Sequence, residues 1–372
     1  MTKPSIRLVR RWPAALVLAG CTLSCMLGRM LVPAVGRAQV AAMVAALPPT
    51  RVTLDRDHDS LTIELPAVDL PASTPDHEAM VVTPMYQAVI PASGSIYQVQ
   101  VEVVDSAGTL LPHEFLHHVN VTDPTRRDLF VPTSLHLLAA SKETPAVTIP
   151  RWLMGLPLEG GSRLLVAGML ANPTGTARHG VRVRVKLAYS PLGQVSPLFH
   201  VFPFVMDAMF PLGKRPHGSK AFDLAPGRTV REWEASPAIP GTIVGCGGHV
   251  HDYAVALEFS DVTTGRVIWQ ASVISDSTGR VLSLPVVRFY RWYRLGVHIV
   301  PNHKYRIRVT YENPTGHVIS DGGMGAVGGL FIPDRGTAWP RVDPGNAIYK
   351  QDFEDTIASA DDMGDMEMHG AH

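Results

Sequence analysis

Histidines and one distant methionine are the residues of this chain whose types and spacing suit metal chemistry. His249 and His251 are two residues apart, so on a β-strand both imidazoles project from one face. Met324 lies in a glycine-rich stretch near the end of the chain. Imidazole binds copper in either oxidation state, and a thioether selects Cu(I) over zinc, magnesium or calcium. We therefore predict a copper site formed by His249, His251 and Met324.

A second pair, His117 and His118, is adjacent in the sequence. Adjacent residues of a regular strand face opposite sides of the sheet, so both imidazoles can bind one ion only where the strand is bulged or bent. The alternative for both pairs is a set of histidines on a solvated strand face. Packing of Met324 against a neighbouring strand would likewise explain the glycines around it.

The composition bounds the class of protein. The chain has 372 residues, 46% hydrophobic and 18% charged, which is typical of a globular protein of about two domains. Its 33 basic and 33 acidic residues give a formal net charge of zero, so there is no electrostatic case for nucleic-acid binding. Gly323, Gly325 and Gly328 have the spacing of a dinucleotide fingerprint, but an apolar strand ending at Pro333 follows them instead of a helix. We predict no nucleotide cofactor.

The first 40 residues predict an export or anchoring segment, in which basic residues precede an apolar run from Trp12 to about Ala34. Three outcomes are open: lipidation of Cys21, cleavage before Gln39, or one retained membrane helix. We favour the retained anchor in the inner membrane, with the basic end cytoplasmic and the rest periplasmic. Cys246 is the only cysteine beyond this segment, so the exported part has no internal disulfide.

Alternating apolar and polar residues predict an all-β fold. In residues 181–186, for example, one face is apolar and the other basic. Short strands separated by turns favour two tandem β-sandwich or jelly-roll domains behind the N-terminal hydrophobic helix. The sequence Asn-Pro-Thr-Gly occurs at 172–175 and again at 313–316, with one histidine pair in each half, which suggests a duplication.

We place the first domain at residues 50–193 and the second at 194–345. Residues 346–372 have the composition of a flexible acidic tail. The end of this tail holds donors that could form a loose copper chelate, namely Met363, Met366, Met368, His369 and His372.

Together these elements resemble the copper type II, ascorbate-dependent monooxygenases, the family of peptidylglycine α-hydroxylating monooxygenase and dopamine β-monooxygenase. The resemblance marks the chain as a divergent bacterial-type member, and it implies two jelly-roll domains with one copper each. By this resemblance, His117 and His118 bind the first copper, and His249, His251 and Met324 bind the second.

The sequence departs from the family's pattern at several positions. Where the family often has a third histidine for the first copper, this chain has Met169, just before Asn172 and Pro173. The first site is then His-His-Met and biased toward Cu(I), or it has lost its metal. The family's disulfides are absent. Gly247 and Gly328 replace the arginine and the tyrosine that bind substrate in the peptide enzyme, which argues against peptide amidation.

Two functions are consistent with these observations. One is an extracytoplasmic, membrane-anchored copper protein that hydroxylates a substrate with O2. By resemblance, its second copper would bind O2 and take a hydrogen atom, and its first would deliver an electron. The other is a non-catalytic extracytoplasmic subunit that docks on a larger membrane complex, or a copper carrier.

Overall fold

The computed structural model describes the chain from residue 36 to residue 366, except for 37, 75–77, 143, 145, 211–220 and 292–293. Of 358–366 it describes the helical backbone alone. Two β-sandwiches follow one another along the chain, which confirms the predicted all-β class. A helix, α1 (38–46), precedes them, and a second, α2 (Ala347–Met366), follows them.

The first sandwich consists of an eight-stranded sheet and a five-stranded sheet. Its strands in chain order are β1 (Arg51–Asp55), β2 (Ser60–Glu64), β3 (Val68–Leu70), β4 (Ala79–Val82), β5 (Tyr86–Val89), β6 (Gly94–Val104), β7 (Leu116–Arg127), β8 (Ser134–Ser141), β9 (Val147–Thr148), β10 (Met154–Leu158), β11 (Arg163–Asn172), β12 (Arg178–Pro191) and β13 (Phe199–His200). The larger sheet has the order β1-β2-β12-β6-β10-β13. In addition, β3 pairs with β12, and β9 pairs with β6. The smaller has the order β4-β11-β7-β8, with β5 also on β11.

The second sandwich repeats this arrangement with a five-stranded and a four-stranded sheet. Its strands are β14 (Phe202–Asp207), β15 (Phe222–Leu224), β16 (Gly227–Ala235), β17 (Gly241–Val250), β18 (Ala254–Asp261), β19 (Arg266–Ser272), β20 (Ile274–Ser275), β21 (Val281–Ser283), β22 (Val287–Arg288), β23 (Val297–Ile299), β24 (Tyr305–Asn313), β25 (Ile319–Gly323) and β26 (Gly325–Pro333). One sheet has the order β14-β26-β17-β22, with β23 also on β17, and the other β16-β24-β18-β19. Two small sheets, β15-β25 and β20-β21, lie beside them.

Side-chain alternation explains why these segments form sandwiches. In β12 the apolar residues Val181, Val183 and Val185 are buried in the first core, and the intervening basic residues face outward. This is the half-buried strand that the sequence predicts. The chain passes between the sandwiches at residue 201, because β13 pairs with β10 of the first and β14 with β26 of the second. The boundary predicted at 193–194 is thus several residues early.

The two sandwiches share a packed interface. The Trp339 ring stacks on Phe202 with ring centroids 4.3 Å apart, and its indole N–H donates to the Arg127 carbonyl at 2.8 Å. Arg126 is buried, lies over Phe202, and donates to the carbonyl of Pro157. The indole hydrogen bond to Arg127 and the packing of Arg126 on Phe202 join the first sandwich to the second.

The two Asn-Pro-Thr-Gly turns have the same hydrogen-bond pattern. Asn172 and Asn313 are both buried, and each accepts from the backbone N–H and the hydroxyl of the threonine two residues later. Each also donates to the carbonyl four residues later and to a carbonyl of a segment distant in sequence, that of Pro71 or Leu224. The histidine pairs, however, lie on strands that are not equivalent. His118 is on a neighbour of the strand that ends at Asn172, whereas His249 belongs to the sheet opposite the strand that ends at Asn313.

Residues after 346 differ from the flexible tail that the sequence predicts. Within α2, Tyr349 and Phe353 are buried and their rings stack with centroids 5.8 Å apart. They pack with Val44 of α1 and with Leu165, on the outer face of β11. The apolar spacing of four residues, 349, 353 and 357, matches one helix face, and burial of that face explains the helix in an acidic segment. The chelating residues predicted at 368–372 lie outside the described residues.

In the described part of the chain no helix has the length and apolar character needed to cross a membrane. The predicted anchor at residues 1–40, with Cys21, lies outside the described residues apart from the start of α1.

We expect the substitution Phe353→Ala to lower the free energy of unfolding by about 3 kcal/mol, because it leaves a cavity between α2 and β11. The matched control is Lys350→Ala on the exposed side of the same helix, which should change that free energy by less than about 0.5 kcal/mol. Urea denaturation of the two variants measures the difference. Equal stabilities would mean that α2 contributes no packing.

Candidate metal sites

A β-bulge brings the adjacent histidines of β7 together. His118 pairs with Met169 of β11, whereas Leu116 pairs with the next residue, Leu170, so that His117 is the extra residue of the bulge. A bulge turns the side chains of the affected residues toward one side of the strand. This is the irregularity that the sequence required for both imidazoles to face one point.

The two rings of this pair converge. Nδ1 of His117 is 3.0 Å from Nδ1 of His118, and the ring centroids are 5.2 Å apart with an angle of 68° between the planes. Two imidazole nitrogens that bind one ion at ~2.0–2.1 Å and at right angles are about 3 Å apart. The two rings are thus hydrogen-bonded to each other, and the same separation is close to that of two ligands of a single ion.

Met169 lies beside this pair because of the strand register. Residues directly opposite one another in antiparallel strands project from the same face, with Cβ atoms about 4.5–5.5 Å apart. Met169 is the register partner of His118 and is half-buried. We call His117, His118 and Met169 the first site.

The second histidine pair is brought next to Met324 by β17 and β26. His249 pairs with Ala326 and Val250 with Gly325, so His251 and Met324 are the next residues of the two strands. By alternation His249, His251 and Met324 share one face of the sheet. The rings of His249 and His251 have centroids 5.4 Å apart and an angle of 82° between their planes. We call these three residues the second site.

One tyrosine, which the sequence did not single out, contacts the backbone of this site. The Tyr311 hydroxyl accepts hydrogen bonds from the backbone N–H of His251, at 3.0 Å, and of Met324, at 2.9 Å. It donates to the Met324 carbonyl. Tyr311 belongs to the opposite sheet of the sandwich, and nothing in the local sequence marks such a long-range contact.

Unusual backbone conformations flank the second site. Tyr253 and Asp321 have positive φ angles of 67° and 49°, which non-glycine residues seldom adopt. Such conformations cost about 1–3 kcal/mol each and persist where the surrounding structure imposes them. Burial lowers the pKa of His251, and hydrogen bonding of its ring to the backbone of Asp321 and Gly322 opposes that shift. A backbone contact of this kind orients a histidine ring for metal binding.

Electrostatics link the two sites across the domain interface. Burial, followed by the charges of His117 and of His249, lowers the pKa of His118 to about 4. His118 is therefore neutral near pH 7, which is the form that binds metal. His249 belongs to the other sandwich, so its charge acts on His118 across the interface between the two.

Strand register thus places one of the two predicted methionines beside each histidine pair. In the described residues no three side chains of the His, Cys, Asp and Glu types are grouped to hold a metal ion. Each site instead has two histidines, with a methionine as its third donor. Cys246 is buried in the core of the second sandwich, and burial raises the pKa of its thiol, so it packs as an apolar residue and is not an added ligand.

Comparison with known proteins gives only distant structural similarity. No family model matches the chain, and no curated protein matches it. PNGase F, a glycosylasparaginase from Flavobacterium meningosepticum, is 10% identical with a TM-score of 0.38, covering 76% of this chain and 98% of its own. PNGF-II is 10% identical with a TM-score of 0.32, covering 73% and 66%. The mavirus major capsid protein is 9% identical with a TM-score of 0.19, covering 89% and 93%.

We expect the copper-free protein to lose stability as the pH falls from 6.5 toward 4 because of His118. Its pKa is about 4 when folded and near 6.5 when unfolded, so in that range the unfolded state binds a proton that the folded state does not. The loss should reach up to about 3 kcal/mol. Urea denaturation of chelator-treated protein at several pH values measures it.

The control for this pH dependence is a pair of variants. His118→Asn should reduce the change between pH 6.5 and 4 and leave the part due to His251, whereas His317→Asn, at an exposed histidine in the turn after Asn313, should leave it as in the parent protein. A dependence that is unchanged in His118→Asn would contradict the assignment.

Proposed function

We propose that this chain is an extracytoplasmic, membrane-anchored copper-binding protein, a divergent bacterial-type relative of the copper type II monooxygenases. The observation that carries the proposal is that each histidine pair has a thioether beside it from a neighbouring strand. Two imidazoles with one thioether suit copper, and Cu(I) in particular, better than zinc, calcium or magnesium. The donor set of both sites therefore fits the metal that the resemblance implies.

Hydroxylation of a substrate with O2 is the activity that we propose for these sites. Copper, when bound, supplies the one-electron chemistry toward O2 that amino-acid side chains lack. The residues of the chain set where this occurs. His118 is held neutral and ready to bind, and the rings of His117 and His249 are exposed, so that solvent, O2 and a reductant can reach both sites.

The electrostatic effect of one site on the other supports different roles for the two sites. We propose that, with copper bound, His117, His118 and Met169 would hold the ion that supplies an electron, and His249, His251 and Met324 would hold the ion near the substrate. The effect of His249 on the pKa of His118 supports this, because it requires a short separation between the two sandwiches at this point. The packed interface around Arg126 and Trp339 would keep that separation constant.

The surface next to His249 bears on the substrate. Gly247 and Gly328 pair with one another across β17 and β26 on the face that carries His249. At these two positions the chain has no side chain that could bind a charged group of a substrate. We therefore propose a substrate other than a peptide for amidation.

We expect the purified full chain, loaded under copper-replete conditions, to hold about two copper ions per chain. The double variant His249→Ala, His251→Ala should lose one ion and keep the other, as should His117→Ala, His118→Ala. Elemental analysis after gel filtration measures the content. The control is His298→Ala. His298 is an exposed histidine of β23 that pairs with Asp334, and the variant should keep both ions.

Oxygen uptake with ascorbate tests the activity itself. Uptake that requires copper and is lost in the double variant at His249 and His251 would support the hydroxylase. Parent protein that holds no copper under replete conditions would refute the proposed function.

A second candidate, a copper carrier or a non-catalytic subunit of a membrane complex, is favoured by the first site. Met169 makes that site His-His-Met, and His117 is exposed, which suits binding and release of Cu(I). A carrier should transfer Cu(I) to an acceptor chelator without consuming O2. A subunit should co-purify with stoichiometric partners, and His249→Ala should leave that assembly intact.

A further inference from the structure

Tyr311 occupies an unusual place in the second sandwich. It lies on β24, in the sheet opposite the second site, and its side chain crosses the core to reach β17 and β26. The residue is fully buried, and its ring meets that of Phe222 edge-on with centroids 5.7 Å apart. Close packing keeps β24 near β26, since a Cβ built on Gly325 would lie 2.7 Å from Val309, two residues before Tyr311.

The Tyr311 hydroxyl has no spare hydrogen-bonding capacity. A phenol has one donor and two acceptor lone pairs. Here the donor goes to the Met324 carbonyl, and the lone pairs accept the backbone N–H groups of His251 and Met324. Burial raises the pKa of Tyr311 to about 12, so the hydroxyl keeps its proton and its donor role.

The hydrogen bonds of the Tyr311 hydroxyl lie just beyond the last paired residues of β17 and β26. Val250 and Gly325 are the last residues of β17 and β26 that pair through their backbones. One step further, the hydroxyl takes the backbone groups that direct pairing of His251 with Met324 would have used. His251 and Met324 are thus both hydrogen-bonded to the Tyr311 hydroxyl oxygen, and they are held near each other without pairing directly through their backbones.

We propose that the Tyr311 hydroxyl is the positioning group of the second site, holding His251 and Met324 at the separation that lets both bind one copper ion. The proposal rests on the proposed function for its metal, but its structural part is independent of any metal. Removal of the hydroxyl leaves two N–H groups and one carbonyl buried without partners, and each such group costs about 1–3 kcal/mol. The strand ends must then separate, or water must enter.

Tyr305 offers a matched control. It lies on the same strand, is equally buried, and its hydroxyl accepts one backbone N–H, from Val300 at 3.0 Å. Its contacts are with His303 and Asp261, at the other end of the strand from the second site. Tyr305→Phe therefore removes a buried tyrosine hydroxyl from β24 without touching His251 or Met324.

The experiment compares Tyr311→Phe with Tyr305→Phe in the full chain. In copper-free protein, hydrogen exchange followed by NMR should be at least about tenfold faster at the His251 and Met324 amides in Y311F, and unchanged there in Y305F. In Cu(I)-loaded protein, competition with a chelator should show about 10–100-fold weaker binding of one of the two ions in Y311F alone. In X-ray absorption spectra of Cu(I)-loaded protein, the copper–sulfur signal should be weaker in Y311F than in the parent protein.

Each result bears on the proposal. Unchanged exchange at both amides would overturn it, and so would faster exchange with copper affinity and sulfur signal as in the parent. Parent protein without copper would refute the proposed function, while the exchange data would still decide whether Tyr311 ties the two strands. If Y311F fails to fold, 3-fluorotyrosine at position 311 keeps the hydroxyl but weakens it as an acceptor. Faster exchange at the same two amides would support the proposal, and no change would overturn it.

Discussion

Both sites depend on antiparallel register, because in each of them strand pairing brings a methionine next to two histidines. The ladder of β7 with β11 sets Met169 against His118, and the ladder of β17 with β26 brings Met324 level with His251. A slip of one residue in either ladder would move the methionine to the other face of its sheet. Burial prevents such a slip, since Leu170 and Val250 would then leave their cores for solvent.

Packing of the two sandwiches adds a constraint that neither ladder contains. The buried guanidinium of Arg126 and the stacked pair of Phe202 and Trp339 hold the sandwiches together. His118 is consequently shielded from water and within the electrostatic reach of His249. Burial keeps His118 neutral at pH 7, which favours metal binding there. The same burial lowers the free energy of unfolding at low pH, where the unfolded state binds a proton that the folded state does not.

The sequence contained the local part of this arrangement. The spacing of His249 and His251 predicts one face, and a shared ion at the adjacent His117 and His118 required a bulge, which the structure has. Pairing of distant strands was not readable, because it depends on contacts across the whole fold. Helix α2 was missed although Tyr349 and Phe353 have helical spacing, since its acidic composition is also that of a disordered tail. Tyr311 was missed because its role arises from the opposite sheet.

The two sites differ in how the backbone holds their methionines. Met169 lies inside its sheet, paired with His118 on one side and Val82 on the other, so the ladder resists its movement. Met324 lies beyond the last paired residues and is tied by the hydroxyl of Tyr311. Displacing one side-chain hydroxyl disturbs fewer bonds than breaking two ladders. Under the proposed function, the geometry of the second site would therefore depend on one side chain from the opposite sheet, while that of the first would depend on the ladders of its own sheet.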